Sequence, residues 1–175
     1  MTAADQSLFT EVKMLLLDVD GVLTDGAISY TGAELETKTF NVKDGLGIRM
    51  LINSGIHVAI VTGRTSAALL RRSQELGIAL VYEGVGDKAG LLDEILTATG
   101  LASSGEVAFI GDDLPDIPLL KKVGLPIAVA DAHPEVRRAA RMVTSAGGGR
   151  GAVREVCELI LKARGLWHRA TAAYL

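Results

Sequence analysis

Short apolar runs alternate with longer amphipathic segments along most of this chain. Runs that are apolar on both faces and rich in Val, Ile and Leu are typical of strands buried in a parallel sheet. The pattern predicts strands at 13–19, 57–62, 79–82, 106–110, 125–129 and 142–144.

The segments between these strands have the length and spacing of amphipathic helices. Several of them begin behind a polar residue or a proline and end at a glycine, as helices commonly do. The predicted helices are 45–54, 65–76, 88–99, 116–123, 134–140 and 152–163. Strands and helices that alternate in this way predict an α/β fold, with a doubly wound, Rossmann-like parallel sheet.

One segment departs from this alternation. Residues 27–42 alternate apolar and polar positions around Thr31-Gly32-Ala33, which predicts a β-hairpin. The hairpin would project from the end of the first strand.

Composition narrows the class of protein. The chain has 175 residues and 49% hydrophobic residues, which suits one domain with a sizeable core. We expect a single domain over 1–175, with a C-terminal tail at about 164–175. A net charge of -3 argues against a general nucleic-acid-binding surface, and no apolar run is long enough to span a bilayer. The single Cys157 and the acidic, short 1–11 segment, which does not resemble a signal peptide, favour a cytoplasmic protein.

Four polar clusters follow predicted strands, at the edge of the sheet where ligands bind in open α/β folds. They are Asp18 to Thr24, Thr62-Gly63-Arg64, Lys88, and Gly111 to Asp116. Each cluster alone is more often a helix cap, a turn or a solvated side chain. All four in order, each at a predicted strand end or helix start, indicate one shared site.

The acidic residues in these clusters suit phosphoryl transfer. Carboxylates that share a crevice repel one another unless a cation such as Mg²⁺ lies among them. A carboxylate can also attack phosphorus to give an acyl phosphate, while a second one exchanges protons with the leaving alcohol and with water. Gly21 would permit the sharp backbone turn needed to bring both carboxylates onto one phosphate.

These motifs resemble the haloacid dehalogenase superfamily of phosphatases. DVDGVLTDG is similar to the first motif, Thr62 to the second, Lys88 to the third and GDDLPD to the fourth. The resemblance implies an Mg²⁺-dependent phosphomonoesterase. Its implied catalytic residues are Asp18 (nucleophile), Asp20 (general acid and base), Thr62 and Lys88. Its implied metal ligands are Asp18, the Asp20 carbonyl and Asp112, with Asp113 and Asp116 supporting Lys88 or metal-bound water.

The spacing of the motifs leaves no room for a cap domain. Only 43 residues separate Asp18 from Thr62, and 25 separate Thr62 from Lys88. A neighbouring subunit is therefore expected to cover the site. The capless pattern is similar to the family of 3-deoxy-D-manno-octulosonate 8-phosphate phosphatases, homotetramers that make a lipopolysaccharide sugar. The residues that this similarity places on the sugar phosphate are Asp20, Asn41, Val42, Lys43, Asp44, Gly45, Arg49, Arg64, Arg72 and Lys88.

Several alternatives remain open at this point. Related enzymes act on nonulosonate 9-phosphates, although Arg64 after Thr62-Gly63 favours the eight-carbon sugar. A non-catalytic assembly module and a phosphate-accepting receiver domain share parts of the pattern. The glycine-rich run 147–151 is either a mobile tail that carries Arg150 to a site or a plain loop before the last helix.

Overall fold

The computed structural model describes residues 3–31 and 35–175, and its centre is a parallel sheet. The sheet has six strands, which are β1 Met14–Leu17, β4 His57–Val61, β5 Leu80–Tyr82, β6 Val107–Gly111, β7 Leu125–Ala128 and β8 Met142–Val143. Their order across the sheet is β5-β4-β1-β6-β7-β8, and β2 (Ser29–Thr31) and β3 (Leu35–Thr37) form a separate hairpin. The predicted α/β class and all of its predicted sheet strands are confirmed, with ends that differ by one or two residues.

Eight α-helices in the described part of the chain accompany this sheet. They are α1 Ala3–Glu11, α2 Val42–Asn53, α3 Ala67–Leu76, α4 Leu92–Thr99, α5 Ile117–Leu120, α6 Pro134–Ala139, α7 Ala152–Ala163 and α8 Trp167–Thr171. Helix α7 packs against α1 and α2, and its apolar face is fully buried. Helices α1 and α8 were not predicted, because neither has a long amphipathic repeat. No helix in 3–31 or 35–175 has both the length and the apolar character needed to cross a membrane.

The central strands are buried because both of their faces are covered. Every residue of β1 is buried, and β1 pairs in parallel with β4 on one side and with β6 on the other. The chain therefore passes from β1 to one neighbour and later returns to the other. This switch of direction opens a crevice at the carboxyl ends of the three strands.

The predicted hairpin is present as a separate two-stranded sheet. Strands β2 (Ser29–Thr31) and β3 (Leu35–Thr37) pair antiparallel, with Tyr30 opposite Glu36. The predicted turn residues Gly32 and Ala33 lie outside the described residues. Ile28 and Tyr30 are exposed on this hairpin.

One predicted helix start is wrong, and a second helix is preceded by a turn that was not predicted. Lys88 does not begin a helix: it lies in a turn, and α4 starts only at Leu92. The helix predicted at 116–123 starts within one residue of that prediction, at Ile117. It is preceded by an unpredicted 3₁₀ turn at Leu114–Asp116, which contains Pro115 and is capped by the Asp113 side chain. Both starts are set by contacts around the crevice.

The glycine-rich run 147–151 is a loop anchored to the rest of the protein. The Gly149 N–H donates to the Val22 carbonyl at 2.9 Å, and a Cβ at Gly148 would lie 1.8 Å from the Gly21 carbonyl oxygen. Asp44 holds the other end of the run, since its carboxylate accepts from the Gly151 N–H at 3.3 Å and from the Arg154 N–H of α7 at 2.7 Å. The run is therefore a loop before the last helix in this structure, and a role for Arg150 at a site stays a prediction.

Candidate active site

The ends of β1, β4 and β6 bring three of the predicted clusters together. Asp18, Thr62 and Asp112 directly follow these adjacent strands. They share a cavity of about 360 Å³. The other lining residues are Asp20, Gly26, Gly63, Arg64, Val85, Gly86, Lys88, Asp113, Pro115 and Asp116.

A buried lysine links two of the carboxylates in this cavity. The Lys88 Nζ lies 2.8 Å from Oδ1 of Asp18 and 2.7 Å from Oδ1 of Asp116. All three side chains are buried. A buried ammonium group is stable only when it is paired, so the two carboxylates fix Lys88 at the end of β1.

Both carboxylate oxygens of Asp116 accept hydrogen bonds. Its Oδ1 accepts from Lys88, and its Oδ2 accepts from the backbone N–H of Asp112 at 2.9 Å. Asp113 has a different role, because its Oδ1 accepts from the Leu114 N–H and caps the 3₁₀ turn. Asp116 is thus the residue that holds Lys88, while Asp113 shapes the loop.

The crevice concentrates negative charge. Oxygen atoms of Asp18, Asp112 and Asp116 all lie within 4.8 Å of one another. Burial and the charge of Asp116 raise the pKa of Asp18 to about 6, against the opposing effect of Lys88. Burial and the charges of Asp18 and Asp116 raise the pKa of Asp112 to about 8.

A hard divalent cation fits this set of oxygen donors. The raised pKa values show that one lysine does not compensate for the clustered carboxylates, which a divalent ion would do. Since both oxygens of Asp116 already accept hydrogen bonds, Asp18 and Asp112 are the carboxylates best placed to hold the ion. Gly21 lets Asp112 approach: a Cβ there would lie 2.1 Å from the Asp112 Oδ2, and its φ is +84°.

Asp20 lies at the mouth of the cavity beside the hairpin. Its carboxylate contacts the Lys38 ammonium, and its Oδ2 lies 3.6 Å from the Arg64 Nε. Arg64 also donates to the Glu36 Oε2 at 2.5 Å. Glu36 and Lys38 were not predicted as site residues, because a charged residue in a hairpin is normally solvated.

The other predicted substrate contacts do not line this cavity. Arg49 and Arg72 line a separate open cavity of about 540 Å³, together with Val42 and Gly45. Asn41 caps α2 by accepting from the Lys43 N–H at 2.8 Å. Asp44 is buried and caps α7, as described above. Within the described chain these residues therefore lie outside the cavity, and their contact with substrate stays a prediction.

Comparison with known proteins identifies the family. A profile of haloacid dehalogenase-like hydrolases matches residues 81–153. A 3-deoxy-D-manno-octulosonate 8-phosphate phosphatase of Yersinia pestis is 50% identical over 160 residues, which cover 91% of this chain and 85% of the relative. The chain belongs to this phosphatase family. Its relative in Escherichia coli K12 is 48% identical over 154 residues, 88% of this chain and 81% of the relative.

A solved structure in the family carries ligands. It is a 3-deoxy-D-manno-octulosonate 8-phosphate phosphatase from Moraxella catarrhalis in complex with a magnesium ion, a phosphate ion and a KDO molecule. That structure is 40% identical to this chain, with a TM-score of 0.95 and coverage of 100% of both chains. Family membership agrees with the sheet order and with the carboxylate cluster found here.

Proposed function

We propose that this protein is an Mg²⁺-dependent phosphatase that hydrolyses 3-deoxy-D-manno-octulosonate 8-phosphate in the synthesis of a lipopolysaccharide sugar. The observation that carries the proposal is the convergence of Asp18, Lys88 and Asp112 at the switch point of the sheet. The similarity to curated phosphatases over most of the chain supports the substrate.

Asp18 is the nucleophile in this proposal. Its carboxylate forms a bond to phosphorus, and the bond from phosphorus to the sugar oxygen breaks. Lys88 holds one Asp18 oxygen at 2.8 Å and therefore fixes the carboxylate in its attacking position. The buried Thr62 hydroxyl and the Lys88 ammonium face the same cavity, where they can donate to phosphoryl oxygens.

Asp20 is the general acid and base. It gives a proton to the departing sugar oxygen, and it later takes a proton from the water that attacks the phosphorus of the aspartyl phosphate. That second step releases inorganic phosphate and restores Asp18. Its position two residues after the nucleophile, just before the turn at Gly21, supports this assignment.

Mg²⁺ would be held by Asp18, Asp112 and the Asp20 backbone carbonyl. When bound, the ion supplies positive charge against the phosphoryl oxygens and relieves the repulsion among the carboxylates. Asp116 and Asp113 support the same region by holding Lys88 and by shaping the loop after β6.

Arg64 is proposed to bind the sugar acid. It lines the cavity, and its side chain remains 43% exposed, so that a ligand can reach it. A guanidinium group binds a carboxylate through two parallel hydrogen bonds, which suits the carboxylate of an octulosonate. In this proposal Arg49, Arg72 and the 41–45 segment contact substrate only in the assembled enzyme.

The proposed assembly is a cytoplasmic homotetramer in which the 27–42 hairpin of each subunit covers a neighbour's active site. The exposed Ile28 and Tyr30 support it, because an isolated two-stranded hairpin rarely leaves such side chains in water. The single cysteine supports a reducing compartment. The proposed unit is one domain over 1–175.

Phosphate release from two purified substrates tests this function. 3-Deoxy-D-manno-octulosonate 8-phosphate and a nonulosonate 9-phosphate are compared at equal concentration, with Mg²⁺ and after chelation. We expect the eight-carbon substrate to have the higher kcat/KM, and only with Mg²⁺. A higher kcat/KM for the nine-carbon sugar would favour the related enzyme class, whereas stable phosphorylation without turnover would indicate a receiver.

A further inference from the structure

Lys38 is buried against the active site although no motif includes it. Its side chain is only 3% exposed. The Nζ contacts the Asp20 Oδ1 and lies 2.8 Å from the Glu36 Oε1. A lysine that only keeps a hairpin soluble would extend into water, because burying an ammonium group is costly unless it is paired.

The two carboxylates beside Lys38 also share a second cation. Arg64 lies 2.5 Å from Glu36 through its Nη2 and 3.6 Å from Asp20 through its Nε. Asp20, Lys38, Glu36 and Arg64 therefore form a closed ring in which the signs of charge alternate. We refer to these four residues as the hairpin ring. Two of its members come from the hairpin and two from the catalytic loops.

Lys38 is the closer of the two cations to Asp20. Asp20 lies in the turn after β1, and within the described residues its buried Oδ2 has no hydrogen-bond partner. The contact with Lys38 on Oδ1 is therefore the main restraint on the direction of this carboxylate. Arg64 is more exposed and, under the proposed function, is drawn towards the sugar acid.

We propose that Lys38 is a positioning residue for Asp20, so that the hairpin supplies one part of the acid–base machinery of its own chain. This inference rests on the proposed role of Asp20. It assigns the hairpin a function in chemistry as well as in covering a site. Loss of the ammonium group would let Asp20 rotate away from the leaving oxygen, and small misplacements of a reacting group reduce rates strongly.

The experiment compares two aryl phosphates whose leaving groups differ in their need for protonation. p-Nitrophenolate is a stable anion that departs without protonation, whereas phenolate is a poorer leaving group and depends more on the general acid. Lys38→Met is measured on both esters with Mg²⁺ present. Lys13→Met is the matched control, because Lys13 also contacts a glutamate, Glu106, but lies outside the cavity.

We expect Lys38→Met to lower kcat/KM for phenyl phosphate by about 10-fold or more, and for p-nitrophenyl phosphate by clearly less. Lys38→Arg should recover part of the loss, and Lys13→Met should behave as wild type. In an Asp20→Asn background the Lys38→Met change should alter kcat/KM by less than about twofold, because both act through one carboxylate. If Lys38→Met does not fold, Lys38→Gln takes its place with the same expectations.

Equal losses of kcat/KM on both esters, or losses that multiply with those of Asp20→Asn, would overturn the proposal. Lys38 would then only stabilise the position of the hairpin. An Asp20→Asn variant with wild-type turnover would instead contradict the proposed function itself. The two failures are therefore distinguishable.

Discussion

The carboxylate cluster should destabilise the protein whenever its cation is removed, and Asp112→Asn isolates this effect. The substitution keeps the size of the side chain and removes one negative charge. Burial and neighbouring carboxylates raise the pKa of Asp112 from 3.8 to about 8. The folded state therefore holds this proton more tightly than the unfolded state does, and the metal-free wild type loses stability as the pH rises from about 4 to about 8.

The size of the effect follows from the same shift. One pKa unit corresponds to about 1.36 kcal/mol, so the full shift sets an upper bound of about 6 kcal/mol. Asp112 is only partly buried, and solvent screening reduces this figure. We expect Asp112→Asn to raise the free energy of unfolding of the metal-free protein by about 2–4 kcal/mol at pH 8, and by less than half as much at pH 5.

Urea unfolding in EDTA at the two pH values measures this difference. Asp93→Asn is the control, because Asp93 is an exposed carboxylate in the first turn of α4. Added Mg²⁺ should stabilise the wild type at pH 8 and should stabilise Asp112→Asn much less. A variant no more stable than the wild type at pH 8, or a gain that does not change with pH, would refute the account of the cluster.

Four further predictions concern turnover and assembly. Asp18→Asn should keep its circular dichroism spectrum and lose phosphate release, and activity above about a hundredth of wild type would remove Asp18 as nucleophile. Exhaustive chelation should stop turnover and Mg²⁺ should restore it, so full activity of a metal-free sample would contradict the need for a cation. Arg64→Ala should reduce kcat/KM far more for the sugar phosphate than for p-nitrophenyl phosphate, and equal losses would place Arg64 in the core chemistry. Light scattering should show a tetramer that dissociates when 27–42 is shortened to a turn, and a fully active monomeric wild type would defeat that assembly.

Much of the fold followed from the sequence because its signals are local. Buried strands such as β1 and β4 are apolar on both faces, and glycine marks the ends of α3 and α4 at Gly77 and Gly100. The hairpin could be predicted for the same reason, since its apolar and polar residues alternate with a period of two. The start of α4 could not be predicted, because the turn around Lys88 is set by two carboxylates that are distant in sequence.

The sequence predicted only those site residues that follow the end of a strand. Asp18, Thr62 and Asp112 meet because parallel neighbours share an edge of the sheet. Lys38 and Glu36 could not be found in this way, since their roles depend on how the hairpin folds back over Asp20. Such a contact has no periodicity and no spacing that a sequence displays.

The most direct test of the central claim is to trap the covalent intermediate on Asp18. The enzyme is mixed with substrate and Mg²⁺ and quenched in sodium borohydride, which reduces an aspartyl phosphate to homoserine, and the digested peptides are analysed by mass spectrometry. The account predicts homoserine at position 18. An unmodified Asp18 during steady turnover, or homoserine at Asp20 or Asp112 instead, would contradict it.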